Sequence, residues 1–206
     1  MPPPDWVDRQ LRRRGITDHR VLAAMRRVPR EQFVPEGDRN HAYDDAALTL
    51  GYGQTISQPF VVALICQALA LSGGERVLDV GTGSGYQAAV LAELTAEVVS
   101  IERITELAEE ARRNLAAAGY ADRVELRIGD GSHGVPDRAP FDAIAVAAAT
   151  QDVPPALWDQ LAEGGRLVLP LGRLLDQRLE LIERVGGHPK RRMLAPVRFV
   201  PLVESA

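Results

Sequence analysis

Short apolar runs alternate with amphipathic segments along most of the chain. Runs rich in valine, isoleucine and leucine, with the length of buried strands, occupy residues 77–80, 97–101, 124–128, 141–147 and 166–171. Segments with a helical spacing of apolar residues lie between them, at 86–94, 105–118 and 154–161. Strands that alternate with helices build a parallel sheet covered on both faces. The pattern predicts an α/β fold with a doubly wound, mostly parallel sheet.

The segment before these runs has a different pattern. Residues 5–28 show helical spacing, and Thr17 or Asp18 is a suitable cap for the second half of this segment. A further helix is predicted over 59–71, because Pro59 fits the first position of a helix. We therefore expect an N-terminal helical layer ahead of the α/β sheet.

The alternation also stops near the C-terminus. Two apolar segments, 179–185 and 197–203, are joined without a helix long enough for a parallel crossover, and Gly186-Gly187 lies between them. This end of the sheet is therefore predicted to be an antiparallel hairpin. A second glycine pair, Gly164-Gly165, is predicted to form a turn before the fifth strand.

Composition excludes several functional classes. The 206 residues carry a formal charge of −4. The two basic clusters, Arg12 to Arg14 and Lys190 to Arg192, are not interleaved with aromatic residues, so nucleic acid is not an expected partner. No run reaches the roughly 18 apolar residues of a membrane span, and the N-terminus lacks the apolar core of a signal peptide. The single cysteine, Cys66, lies among apolar residues and is interpreted as a buried hydrophobic side chain. We expect a soluble, cytoplasmic monomer without a metal site.

A glycine-rich turn follows the first strand of the sheet. Asp79, Gly81, Gly83 and Gly85 form the pattern acidic-x-G-x-G-x-G, whereas a dinucleotide fingerprint would need glycine at the position of Tyr86. A carboxylate this close to the turn would repel a pyrophosphate. It would attract the ammonium and sulfonium of S-adenosylmethionine, so we predict that cofactor.

Three further residues support this prediction. Glu102 ends the second strand, where a doubly wound fold offers a carboxylate to the ribose hydroxyls. Asp130 follows the third strand and could accept the exocyclic amine of adenine, while Gly131 offers a backbone donor. The alternatives are a plain glycine turn, a strand-end charge at Glu102, and a local backbone hydrogen bond at Asp130.

Ser57 precedes the helix that is predicted to begin at Pro59, and two interpretations are open. Ser57 or Gln58 could cap that helix, which the pattern alone favours. Alternatively, a hydroxyl beside a helix N-terminus could bind an anionic ligand.

Several motifs resemble one family, the protein-L-isoaspartate O-methyltransferases, from about residue 8 to the C-terminus. These motifs are Thr55-Ile56-Ser57-Gln58-Pro59, 79–86, Gly129-Asp130-Gly131, 139–144, 161–172 and 197–202. The first and last are more particular to the family than the glycine turn. The resemblance implies transfer of a methyl group from S-adenosylmethionine to L-isoaspartyl carboxylates of damaged proteins, with S-adenosylhomocysteine as product. The enzyme would be a repair factor.

The resemblance also implies roles for individual residues. Ser57 would be the active-site residue, in place of the cap interpretation, and Glu102 would keep the ribose role. The acceptor peptide would contact Thr55, Ile56, Ser57, Val200, Pro201 and Leu202. On this basis, residues 1–58 would hold the helical extension and active-site loop, and residues 59–206 the cofactor-binding domain. The alternatives are a relative that methylates aspartate in one dedicated peptide or a small acid, and a non-catalytic cofactor binder.

Overall fold

The computed structural model describes residue 3, residues 5–173 and residues 176–203. The helices are α1 (Trp6–Gln10), α2 (His19–Arg27), α3 (Pro59–Leu69), α4 (Tyr86–Leu94), α5 (Thr105–Ala117) and α6 (Pro155–Asp159). The strands are β1 (Leu48–Gly51), β2 (Gln54–Ile56), β3 (Arg76–Val80), β4 (Glu97–Glu102), β5 (Val124–Ile128), β6 (Phe141–Val146), β7 (Leu161–Arg173), β8 (Asp176–Val185) and β9 (His188–Val197).

A seven-stranded sheet forms the centre of the protein, in the order β5-β4-β3-β6-β7-β8-β9. The pairs from β5 to β7 are parallel, and β7, β8 and β9 are antiparallel. The predicted fold, a doubly wound sheet with an antiparallel C-terminal hairpin, is therefore confirmed. Because β3 pairs with β4 on one side and β6 on the other, its carboxyl end lies at the switch point where such folds bind ligands.

The central strands β3, β4 and β6 are buried on both faces of the sheet, as their apolar runs predicted. Along β3, Val77 packs in one apolar cluster with α2, α3 and α4, whereas Leu78 and Val80 pack in a second cluster with α6. This division follows the alternation of side chains along a strand. Four predicted strands, which became β3 to β6, agree with the structure to within one residue at each end.

The N-terminal helices belong to the same apolar core as the sheet. Trp6 and Leu11 pack in the cluster that contains Val77. Of the two predicted caps, Asp18 is the one used, since its carboxylate accepts hydrogen bonds from the backbone N–H groups of Arg20 at 2.8 Å and Val21 at 3.3 Å. Among the described residues, no helix is both long and apolar enough to span a bilayer.

The predicted end of the C-terminal hairpin was wrong. Its second strand is β9, at His188–Val197, and not residues 197–203. Gly186 and Gly187, at φ 59° and 77°, form a two-residue turn, so Val185 pairs directly with His188. The first half of β9 was missed because its side chains are exposed and mostly charged or polar, which is common in an edge strand.

The predicted turn at Gly164-Gly165 was also wrong. Both glycines lie within β7, where the register with β6 jumps between the pairs Phe141–Leu161 and Ala143–Arg166. Gly164 adopts φ 77°, which a bulged strand tolerates best with glycine. The apolar pattern detected only the regular part of this strand.

Candidate active site

A cavity lies at the carboxyl end of β3, and we call it the turn cavity. Its wall includes the glycine turn, the end of β4, residues 147–148 after β6, residues 54–57, which are β2 and the residue after it, and residues 200–203. Ten of the predicted site residues line it: Thr55, Ile56, Ser57, Gly81, Gly83, Glu102, Gly131, Val200, Pro201 and Leu202. The fold thus brings together residues that are far apart in sequence. Three predicted residues, Asp79, Gly85 and Asp130, are not part of the lining.

Two glycines of the site allow close packing that a side chain would prevent. A Cβ atom on Gly131 would lie 2.5 Å from Cγ1 of Val80, which is too close. Only glycine therefore fits at this position of the cavity wall. Gly85 has φ 92°, and a Cβ there would lie 3.1 Å from Cγ of Leu115 in α5. Glycine at this position therefore lets the end of the glycine turn pack closely against α5.

Glu102 holds the glycine turn in place. The residue is 7% exposed, and Oε2 of its carboxylate accepts a hydrogen bond from the Gly83 N–H at 2.9 Å. Oε1 accepts one from the Ile104 N–H at 3.0 Å. Each carboxylate oxygen can accept a second hydrogen bond, so Glu102 can serve the turn and a pair of ligand hydroxyls at once.

Asp79 lies in a buried polar network under the cavity. It is fully buried, and its carboxylate accepts hydrogen bonds from Nε2 of Gln87 at 2.8 Å and Oγ of Ser100 at 2.7 Å. The Ser100 hydroxyl also lies 2.6 Å from that of Thr82. Burial raises the pKa of Asp79 to about 6, assisted by the negative charge of Glu102 and opposed by the two hydrogen bonds.

This raised pKa predicts a pH-dependent stability. Between the ordinary aspartate pKa and pH 6, the folded protein keeps a proton that the unfolded chain has released, so stability falls as the pH rises through that window. Asp79→Asn removes the titration. Its amide oxygen can still accept from Gln87, and its amide nitrogen can donate to the Ser100 hydroxyl, so that hydrogen bond is kept with its direction reversed. Relative to wild type, we expect the variant to gain up to about 3 kcal/mol of unfolding free energy between about pH 4 and about pH 7.5.

Urea unfolding at the two pH values measures this difference. Asp122→Asn is the control, because Asp122 is exposed and is not part of this network. Its pH dependence should follow that of wild type. Parallel pH profiles for wild type and Asp79→Asn would contradict the prediction.

Gln87 is a site residue that the sequence analysis missed. It lines the turn cavity, and its Oε1 is buried without a hydrogen-bond partner in the described part of the chain. An amide oxygen in this position is a ready acceptor for an ammonium group. The sequence did contain a signal, since Gln87 is the first polar residue in a helix whose other residues are almost all buried and apolar.

Asp130 makes a local backbone hydrogen bond, which was the alternative interpretation of this residue. Its Oδ1 accepts hydrogen bonds from the Ser132 N–H at 2.8 Å and the Ser132 hydroxyl at 2.7 Å, which caps a short 3₁₀ turn. This contact keeps the adjacent Gly131 in the wall of the turn cavity. Its contact with adenine stays a prediction.

Ser57 is not a helix cap. Helix α3 begins at Pro59, its N-cap position is Gln58, and no side chain caps it. The Ser57 hydroxyl forms no hydrogen bond within the described residues, and the half-buried residue lines the turn cavity. It also lines a second depression, which we call the side groove and which consists of Ala47, Thr55, Ser57, Gln58, Val61 and residues 196–199. Ser57 therefore stands where the two spaces meet.

The segment from Phe199 to Leu202 is held by hydrogen bonds to its main chain, from one side chain and from the backbone of Ala149. The buried amide of Gln177 accepts a bond from the Phe199 N–H at 2.6 Å and donates one to the Phe199 carbonyl at 3.2 Å. The Ala149 N–H donates to the Val200 carbonyl at 2.8 Å, and the Leu202 N–H donates to the Ala149 carbonyl at 2.7 Å. These bonds fix the main chain of this part of the wall. Gln177, which supplies two of them, was not predicted as a site residue.

Comparisons with known proteins identify the family of this chain. A family model described as Protein-L-isoaspartate(D-aspartate) O-methyltransferase (PCMT) matches residues 6–206. The chain is 57% identical over 200 residues to the protein-L-isoaspartate O-methyltransferase of Opitutus terrae, with 97% of this chain and 85% of the relative covered. It is 50% identical over 199 residues to that of Methanoculleus marisnigri, with 97% and 90% covered.

A solved structure gives the same result. A structure from Plasmodium falciparum that carries the name protein-L-isoaspartate O-methyltransferase, in complex with S-adenosyl-L-homocysteine, matches with a TM-score of 0.85. The two chains are 27% identical, and 98% of each is covered. These matches confirm the predicted resemblance and the predicted cofactor. The chain therefore belongs to the protein-L-isoaspartate O-methyltransferase family.

Proposed function

We propose that the turn cavity holds the methyl donor of this enzyme and that Ser57 orients the acceptor carboxylate toward it. The enzyme uses S-adenosylmethionine to methylate L-isoaspartyl residues of damaged proteins for repair. The observation that carries the proposal is the position of Ser57, which lines both the turn cavity and the side groove. A donor in the first space and a peptide in the second would meet at this residue.

The residues of the turn cavity fit the donor. Glu102 would accept the ribose hydroxyls, and the buried, unpartnered Oε1 of Gln87 would accept the amine of the methionine part. Asp79 would add a negative charge beneath Gln87 for the cationic ligand. When bound, S-adenosylmethionine supplies a methyl group on a positively charged sulfur.

The side groove fits the acceptor. Arg198 lies in its wall, exposed, so a positive charge is available to an anionic peptide, and Val61 of α3 offers an apolar surface. The Ser57 hydroxyl would donate a hydrogen bond to one oxygen of the isoaspartyl carboxylate and leave the other oxygen to attack. No general base is needed, because a carboxylate is already ionised at neutral pH. Alignment of the two reactants would supply most of the rate enhancement.

Two peptides that differ in one linkage test the acceptor proposal. One carries an L-isoaspartyl residue and the other carries normal aspartate in the same sequence, and methyl transfer to each is measured side by side. We expect rapid, base-labile labelling of the isoaspartyl peptide only. Equal or reversed labelling would favour an enzyme for one dedicated aspartyl peptide, and no labelling despite cofactor binding would favour a non-catalytic binder.

We also propose that the protein is a cytoplasmic monomer in which residues 1–58 and 59–206 fold as one unit. Support for one unit comes from the shared apolar cluster, in which Trp6 and Leu22 pack with Val62 and Val90. Cys66, which is buried and free, suits a reducing compartment. Light scattering in solution tests the oligomeric state, and a mass of twice 22.4 kDa would refute the monomer.

A further inference from the structure

Arg30 is a fully buried arginine in the N-terminal layer, with 0% of its surface exposed. It follows α2 and lies in a short 3₁₀ turn. Its Nε donates a hydrogen bond to the Ala42 carbonyl at 2.7 Å, and its Nη2 donates one to the Ser57 carbonyl at 2.7 Å. The guanidinium therefore joins the N-terminal layer to the main chain of the proposed active-site residue.

Arg30 supplies a donor to the Ser57 carbonyl, which receives no hydrogen bond from the N–H groups of α3. The first carbonyl used by that helix belongs to Gln58, which accepts bonds from Val61 N at 3.0 Å and Val62 N at 3.2 Å. The Ser57 carbonyl lies one residue before that point. Since this carbonyl shares a rigid peptide plane with the Gln58 nitrogen, fixing it restricts the backbone rotation that sets the direction of the Ser57 side chain.

Arg30 also contacts the donor side of the site. Its guanidinium carbon lies 4.6 Å from the ring centre of Tyr86, the residue that follows the glycine turn and lines the turn cavity. Within the described residues Arg30 forms no ion pair with a carboxylate, and its buried Nη1 has no hydrogen-bond partner. Burial lowers the pKa of Arg30, as expected for a desolvated cation. An apolar side chain would avoid this desolvation cost, but it would leave the Ala42 and Ser57 carbonyls without the donors of Arg30. The buried charge therefore serves these two carbonyls.

We propose that Arg30 is a positioning residue for methyl transfer, which holds the Ser57 main chain so that the Ser57 hydroxyl meets the acceptor carboxylate in the reactive geometry. This inference rests on the proposed role of Ser57. It assigns the N-terminal layer a function in catalysis besides its part in the apolar core.

A double-mutant cycle tests the inference. Arg30→Lys keeps the charge but cannot donate to both carbonyls in the fixed geometry of a guanidinium. With an isoaspartyl peptide and saturating cofactor, we expect kcat to fall about ten- to a hundred-fold. The affinity for S-adenosylhomocysteine should change by less than about three-fold, because Arg30 does not line the turn cavity. In a Ser57→Ala background, Arg30→Lys should reduce kcat by less than about three-fold more.

Arg20→Lys is the control for the loss of a guanidinium from the N-terminal layer, at a position that is exposed where Arg30 is buried. Arg20 also lies in the N-terminal layer and donates to two main-chain carbonyls, those of Leu71 and Leu94, away from the site. This variant should keep wild-type kcat in the folded fraction. Arg30→Gln is the second variant if Arg30→Lys does not fold.

Each outcome has one meaning. The inference would be overturned if Arg30→Lys lowered kcat by the same factor in wild type and in Ser57→Ala. It would also be overturned if Arg30→Lys alone kept the wild-type kcat. Failure of both Arg30 variants to fold, while Arg20→Lys folds, would assign Arg30 to stability alone and also overturn it. If Ser57→Ala itself keeps its activity, the proposed function fails first, and the two failures are thereby distinguished.

Discussion

Replacing Ser57 by alanine should lower the turnover number about a hundred-fold while the protein remains as stable as wild type. The activity loss is expected because a small misplacement of an attacking atom costs about this factor. The unchanged stability is expected because α3 starts at Pro59 and the Ser57 hydroxyl makes no hydrogen bond to it or to any other described residue. A melting curve and a methyl-transfer assay on the same preparation, at saturating cofactor, measure both quantities.

Ser72→Ala provides the opposite result as a control. The exposed Ser72 hydroxyl donates to the carboxylate of Glu75, in the loop before β3 and outside the turn cavity. Its removal should cost about 1 kcal/mol of stability and leave turnover intact. If Ser57→Ala behaved like Ser72→Ala, Ser57 would have a structural role and the proposed acceptor site would lose its central residue.

The parallel half of the fold was predictable because burial and sequence pattern agree there. Helix α4 begins and ends at the predicted residues, since Gly85 marks its start and its apolar residues end at Leu94. The errors occurred where one strand faces water or changes register. In β9, exposed charged residues conceal the strand, and in β7 the glycine pair belongs to a bulge. Both features depend on the neighbouring strand, which a local pattern does not contain.

The candidate site was predictable only in part, for a similar reason. The glycine turn and Glu102 follow directly from strands, so their place at one edge of the sheet is set by topology. Gln177 and Arg30 act across 22 and 27 residues of sequence, respectively, and each bonds to main chain. Every residue type has a main-chain carbonyl, so the sequence contains no specific partner that would reveal these contacts. The roles of Gln177 and Arg30 could therefore be recognised only from the structure.

Replacing Glu102 by alanine should weaken cofactor binding far more than it changes acceptor recognition. The carboxylate has two proposed duties, to accept the ribose hydroxyls and to hold the Gly83 and Ile104 N–H groups of the turn. Hydrogen bonds to a charged group contribute about 1.5 to 3 kcal/mol each, so S-adenosylhomocysteine should bind at least about ten-fold more weakly. Calorimetry with this product measures the affinity without turnover, and the KM for an isoaspartyl peptide at saturating cofactor should stay near its wild-type value.

Glu102→Gln separates the two duties of the carboxylate. A glutamine can orient its one oxygen toward the Gly83 N–H, but its amide nitrogen cannot accept from the Ile104 N–H or from a ribose hydroxyl. We therefore expect an affinity between those of wild type and Glu102→Ala. Glu106→Ala, which removes an exposed carboxylate from the first turn of α5, controls for a general change of charge and should bind normally. An unchanged affinity in Glu102→Ala would mean that Glu102 does not contact the ribose, because a nearly buried carboxylate cannot be removed from a binding surface without a measurable loss.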